Sequence, residues 1–267
     1  MKPLLTAIFT AILAAPAAFA EDCTSCKPGK ICPPHDGADE AAIKDATPLL
    51  RDKDMEKRRE GLDRLAIAAA KHLNARSKKI TNEFMRMLAD PEATVKGYAA
   101  ERLGACGEEA TAAGTLAAEV AKMEKALAMD KPNAEKKEAE LKKWEEQLRT
   151  LSNFFVGLAK LTTQPAAAAA FEKGIKSANP WVCKTAAENC KGFKKNKAVA
   201  GALITALASY FSKNVTEGNS AAWTAVSMAL PEVSQCNDIP TQKDGTDAAR
   251  WNSQWQKWWR DNEKSLK

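Results

Sequence analysis

Histidine is nearly missing from this 267-residue chain, which carries only His35 and His72, and tyrosine is as scarce. That scarcity removes the commonest general base and any helical His pair of a metallohydrolase. No serine sits on a nucleophile elbow, and no glycine-rich loop is built to cradle a phosphate. Acids are plentiful, as in Glu108-Glu109 and Glu145-Glu146, but nothing in their spacing separates a general acid from a solvated helix face. No catalytic residue is nominated. Aromatic residues make up 6% of the chain, and apart from tryptophan they are few. The period-two alternation of half-buried strands is absent. After residue 20 no apolar run is long enough to span a bilayer.

What is present begins with export. Residues 1–20 open on Lys2, continue through the apolar run Leu4 to Ala15 and end on Ala18-Phe19-Ala20. That is the order of a secretory signal peptide cut after Ala20. Glu21 and Asp22 separate the cut from any lipid-anchor cysteine. The expected mature protein has no transmembrane helix and lies in the periplasm or the extracellular medium; an uncut run would act as an N-terminal anchor. Losing Lys2 takes the formal charge from +6 to +5, a mild bias, and export argues against nucleic acid as a partner. The clusters Lys57-Arg58-Arg59, Lys78-Lys79 and Lys191/Lys194/Lys195/Lys197 read as solvated helix faces and ends. The alternative is contact with an anionic surface such as a polysaccharide or lipid headgroups.

The strongest internal signal is a repeat. Leu49-Leu50-x-Asp52, Arg58 and Arg64-Leu65 recur 38 residues later as Met87-Leu88-x-Asp90, Lys96 and Arg102-Leu103. A fixed offset of that size predicts stacked helical hairpins, here about 41–74 and 78–106. Ser77 is placed to cap a helix, and Asp90-Pro91 and Asn179-Pro180 set a capping side chain before a proline at the first helical position. Ile175, Val182, Ala186-Ala187-Glu188 and Cys190 match Leu88, Val95, Ala99-Ala100-Glu101 and Leu103 at an offset of 87. Because 87 exceeds two repeats, extra helix must lie between. Leu116, Val120, Met123 and Leu127, then Leu141, Trp144, Leu148, Leu151, Phe155 and Leu158, supply it as two heptad seams broken near Pro132. They predict a long antiparallel pair projecting beyond the ordinary hairpins, packed on itself or serving as a partner-binding or dimerising arm. A fourth hairpin follows, from Ala198 to Phe211 and from about Ser220 to Leu230. Pro231 to Gly245 then reads as a loop, and Thr246 caps a last helix with Trp251, Trp255, Trp258 and Trp259 on one face.

Leu88-x-Asp90-Pro91-Glu92-x-x-Val95-Lys96-x-x-Ala99-Ala100-x-x-Leu103-Gly104 resembles a HEAT repeat. The resemblance implies antiparallel helix pairs stacked into a curved rod. It also implies a ladder in which turn acids Asp52 and Asp90 meet second-helix bases Arg58 and Lys96. At the third unit Ser177 and Cys183 stand at the aligned positions, which interrupts that pattern. The Trp-rich ending is similar to that of exported bacterial HEAT-repeat proteins. The likeness covers most of residues 41–267, without the insert, and speaks to fold rather than to chemistry.

The expected architecture is thus all-α, a HEAT-like α-solenoid of about four hairpins. Residues 1–20 are the signal peptide, 21–40 a Cys-rich tail, 41–110 hairpins 1 and 2, and 111–160 the insert. Hairpins 3 and 4 with a loop take 161–245, and 246–267 is the capping helix. The expected function is non-catalytic: a scaffold binding a protein partner along its second helices, with Tyr98, Glu101, Lys184, Glu188 and Trp223 as groove residues. Trp251, Trp255, Trp258 and Trp259 would cover the open end of the core, or else leave indoles exposed to stack on a sugar or a peptide. The one compact set of possible ligands is Cys23-x-x-Cys26-x5-Cys32-x-x-His35. It is open to a disulfide, to zinc or another transition metal, or to thiol redox chemistry. Lys27 stands where haem attachment would need a histidine. Cys183 and Cys190 share a helix face, too far apart to bridge, and with Cys106 they read as small buried hydrophobes.

Overall fold

Helix starts are marked by short polar side chains. The computed structural model describes residues 31–71, 75–133, 135, 137–235 and 248–266. In six helices the residue before the start accepts a hydrogen bond from the first turn: Asp54, Ser77, Glu108, Asn179, Asn196 and Thr216. Each such cap satisfies an otherwise orphaned amide and contributes about 1 kcal/mol. Pro33, Pro165 and Pro180 open three helices, where their missing N–H costs nothing.

Among the described residues there are eleven α-helices and no strand. They are α1 (Pro33–Leu50), α2 (Met55–Ala69), α3 (Lys78–Met87), α4 (Ala93–Cys106), α5 (Glu109–Ala126) and α6 (Glu138–Leu158). Then follow α7 (Pro165–Ile175), α8 (Pro180–Asn189), α9 (Lys197–Phe211), α10 (Glu217–Ser234) and α11 (Ala248–Asn262). Sequential helices pair as α1 with α2, α3 with α4, α5 with α6, α7 with α8 and α9 with α10. The first members of the pairs also touch in order, α1 to α3 to α5 to α7 to α9, with α11 on α9. The second members do the same from α2 through α4, α6 and α8 to α10. Two layers result, enclosing one apolar core that runs from Ala46 to Trp258.

The tightest meeting is between α4 and α6. A methyl group added at Gly104 would lie 2.1 Å from the Gly157 carbonyl oxygen, and one at Gly157 would lie 2.4 Å from that of Ala100. At Gly97 it would meet the Asn153 side chain at 2.3 Å. Two helix backbones therefore touch with no side chain between them, and glycine is kept there despite its cost inside a helix.

Polar bonds stitch the turns within the hairpins to one another. Arg58 in α2 reaches the next turn, where its Nε and Nη2 lie 2.8 and 3.0 Å from the two Asp90 carboxylate oxygens, and both side chains are buried. Arg58 Nη1 donates to the carbonyls of Asp52 and Lys53. Asn179 donates to Leu127 O at 3.0 Å, and Tyr210 to Ser177 O at 2.7 Å. Asp52 binds Lys57 rather than a residue of the next turn, and the Lys96 side chain has no partner among the described residues.

Three boundaries and one packing relation differ from the sequence expectation. Helix α4 begins at Ala93 and not at Pro91: Asp90 accepts from the Glu92 amide within the turn, and Glu92 at the cap makes no side-chain bond. Helix α1 begins at Pro33, inside the segment read as a tail. It has no clear apolar stripe there and is held by Lys79, whose ammonium contacts Asp36 at 2.9 Å and Glu40 at 2.6 Å. Helix α10 continues through Pro231, which lies in its last turn, with Val233 and Ser234 buried and Gln235 closing the end in left-handed geometry (φ 51°). The α5–α6 pair does not stand apart: α5 packs on α3, α4 and α7, and α6 on α4 and α8. Its heptad seams serve neighbours on both sides, and the glycine contacts let α6 sit against α4.

Gly104→Ala and Gly157→Ala should each destabilise the protein by about 2 kcal/mol or more. Gly114→Ala, where an added methyl group meets nothing within 4 Å, should be neutral or stabilising by up to about 1 kcal/mol. Urea unfolding of the three variants measures the contrast.

Candidate functional site

The layer of second helices carries all five residues expected to line a groove, in two groups. Tyr98 and Glu101 lie on α4. Tyr98 Oη donates to Asp63 Oδ1 on α2 at 2.5 Å, and Arg102 Nη2 donates to the same oxygen at 2.7 Å and also bonds the phenol. The guanidinium groups of Arg59 and Arg102 stand 4.9 and 4.6 Å from the ring centroid. Burial raises the phenol above its usual pKa, and so does its bond to Asp63. Tyr98 is thereby locked in place, a rigid aromatic edge framed by two cations.

Glu101 is half-buried beside this cluster. Desolvation raises its carboxyl above the usual range, while Arg102, Lys160 and Arg59 pull the other way. No bonded partner for its side chain occurs among the described residues.

The second group forms a cleft between α8 and α10. Its volume is about 360 Å³, and its walls are Lys184, Glu188 and Lys191 on one side and Ala221, Ala225 and Met228 on the other. Both sets recur at helical spacing, so the cleft runs along the two helices. Ala225 is buried and Met228 is 63% exposed. Lys184 and Glu188 form an ion pair of 2.8 Å across one turn. Ser220 and Thr224 separate this cleft from a smaller one of about 230 Å³ lined by Trp223, Tyr210, Phe211 and Val215. The Trp223 indole N–H is hidden from solvent and has no acceptor among the described residues.

Of the remaining expected residues, Trp251, Trp255 and Trp258 are buried and stacked edge to face at 5.8 and 5.5 Å, on the helix that packs against α9. Trp259 is half-buried and its ring lies 3.1 Å from where a side chain at Gly201 would begin. Cys183 and Cys190 are fully buried, and burial pushes both thiols up to about 12. Burial also raises the Cys106 thiol.

In the N-terminal set, Cys32 is the cap residue of α1 and its Sγ lies 3.4 Å from His35 Nδ1. Cys23, Cys26, Cys236 and His72 fall outside the described residues. Among those described there is no disulfide and no group of three or more His, Cys, Asp or Glu side chains placed to hold a metal.

Sequence reasoning missed Asp63, Arg59 and Arg102 around Tyr98. The spacing of 39 between Asp63 and Arg102, one repeat plus one residue, was the available sign. It also missed Ala221, Ala225 and Met228, whose role depends on α10 lying beside α8. No family model, curated protein or solved structure matches the chain.

Two outcomes follow from burial. Because the folded state holds the Glu101 proton more tightly than the unfolded chain, the stability this group contributes falls as pH rises from its ordinary value of 4.5 through its raised native one. Glu101→Gln should therefore be more stable than the parent at neutral pH, and the difference should vanish below about pH 4 in urea titrations. Iodoacetamide at about pH 8 should leave Cys183 and Cys190 unlabelled in the folded protein and label them in denaturant; peptide mass mapping reads this directly.

Proposed function

We propose that this chain is an exported, non-catalytic scaffold of HEAT-like solenoid type. It holds a peptide segment of a partner protein against its layer of second helices. The observation that carries this reading is the cleft between α8 and α10. An apolar floor of Ala221 and Ala225, an exposed Met228 and a charged wall of Lys184, Glu188 and Lys191 suit an apolar anchor residue with acidic neighbours. The locked Tyr98 with its two guanidinium groups supplies a second, rigid contact on the same layer. The signal-like residues 1–20 support export.

Panning a displayed random-peptide library on the purified protein tests this. Enriched peptides should pair an apolar residue with acids and bind the Met228→Arg variant at least about tenfold more weakly, a loss in the range of one interface anchor. Ile67→Arg, at an exposed apolar position on α2, should bind them as the parent does. Peptides that bind Met228→Arg unchanged would contradict the assignment.

A second reading rests on Cys32 and His35. Their 3.4 Å separation is close to the roughly 3.5 Å between a thiolate and an imidazole nitrogen sharing one tetrahedral zinc. With Cys23 and Cys26 they would make the tail a metal-binding or thiol-redox module carried by the scaffold. Zinc content of protein purified without added metal, lost in Cys32→Ser, supports it; metal-free protein with the tail thiols oxidised opposes it.

A further inference from the structure

Of the lysines gathered near the ends of α6 and α8 and the start of α9, the clefts account only for Lys191. Loops between successive hairpins gather along one rim. Arg76 donates to the carbonyls of Ala105 and Gly107 and pairs with Glu109, and Gln164 donates to Glu109 at 2.9 Å. A side chain at Gly192 would begin 3.1 Å from Thr162 and 3.3 Å from the Ala159 carbonyl, so the loop after α8 lies on the loop after α6. The Lys195 amide donates to Val233 O at 2.6 Å, which ties the same loop to the end of α10.

Five lysines converge there: Lys160, Lys191, Lys194, Lys195 and Lys197, all exposed. None has an ion pair among the described residues, which is also true of Lys44, Lys53, Lys78, Lys96, Lys125, Lys142 and Lys143; what distinguishes the five is that they gather on adjoining loops. Between residues 190 and 197 there is no acid. Among the described residues three acids border the cluster: Glu188, one turn before Lys191 and paired with Lys184, Glu101, whose carboxyl feels Lys160, and exposed Glu232, next to the Val233 that the loop bonds.

Local chemistry opposes two of these lysines. Lys195 has φ 57°, a left-handed conformation that favours glycine or asparagine. Lys197 is the first residue of α9, where its charge faces the positive end of the helix dipole. Residues kept against local preference, unpaired and pointing to solvent, mark a surface retained for contact rather than for folding.

We propose that this rim docks on the headgroup plane of an anionic lipid bilayer. Charge supplies the attraction. A rim of side chains from separate loops meets a plane, whereas a linear polymer would need a groove. In this loop the only aromatic, Phe193, is buried, which leaves neither a stacking platform for sugar rings nor a wedge for insertion. Long lysine stems can follow a fluid plane of phosphates without fixed geometry. The rim shares Lys191 with the wall of the α8–α10 cleft, but Lys160, Lys194, Lys195 and Lys197 do not line it, and the inference does not depend on what that cleft holds.

Co-sedimentation with vesicles tests it on the whole protein. The protein should pellet with mixed phosphatidylcholine–phosphatidylglycerol vesicles, not with pure phosphatidylcholine, and should be released by salt. At about fivefold per lysine, Lys191→Gln/Lys194→Gln/Lys195→Asn/Lys197→Gln should bind at least about a hundredfold more weakly. Lys53→Gln/Lys125→Gln/Lys142→Gln/Lys143→Gln removes the same charge elsewhere and should retain most of the binding. If the first variant fails to fold, Lys160→Gln/Lys191→Gln should still lose at least about tenfold. No pelleting with the mixed vesicles, equal loss in both fourfold variants, or retention on dextran sulfate without vesicle binding would overturn the proposal.

Discussion

Two helix backbones in direct contact, α4 against α6 at Gly104, Ala100 and Gly157, set the geometry on which the other packing depends. A side chain at either glycine would hold the helices apart by a methyl group or more. That gap would have to be filled, or left as a void, along the whole second layer. Because the approach is so close, Phe154, Phe155 and Leu158 of α6 are buried. Phe155 then packs on Phe171 at 5.0 Å and Phe171 on Phe193 at 4.8 Å, which carries the contact from the middle pair of helices to the loop after α8.

The ends of the helices are handled differently on the two sides of the molecule. On one side the turns are bonded to each other through Arg58–Asp90, Asn179–Leu127 and Tyr210–Ser177, which satisfies carbonyls and capping groups that packing removes from water. On the other, Arg76 and Gln164 take up the exposed ends of α4 and α5 and the lysines after α6 and α8 are left in solvent. One edge is therefore closed by its own bonds, and the other presents unsatisfied positive charge. The faces differ in the same way: core residues are shared between the layers, whereas the second-helix layer keeps a cleft with an apolar floor.

Much of this was legible in the sequence where the signal is local. Ser77 and Asn179-Pro180 mark helix starts because capping chemistry acts over three residues, whereas Asp90-Pro91 marks the turn before α4 and not its first position. The heptad seams of α5 and α6 and the single tryptophan face of α11 follow from side-chain period alone. What was not legible depends on neighbours distant in sequence. Gly97, Gly104 and Gly157 look like weak points of helices until α4 and α6 are side by side. The α8–α10 cleft needs Ala221 and Lys184 from different hairpins, and Tyr98 acquires its rigidity from Asp63 of the preceding one. Residues 33–40 continue, toward the N-terminus, a helix that packs on α2 and α3, and Lys79 of α3 pairs with Asp36 and Glu40 at its surface, none of which periodicity within the segment announces.

Native-state hydrogen exchange, resolved by helix, tests the central claim most directly. If the backbone contact between α4 and α6 is the constraint that the stack depends on, their amides should exchange slowest, at the rate of global unfolding, with protection declining toward α1 and α11. Amides of α4 and α6 that exchange as fast as those of the terminal helices would contradict the account.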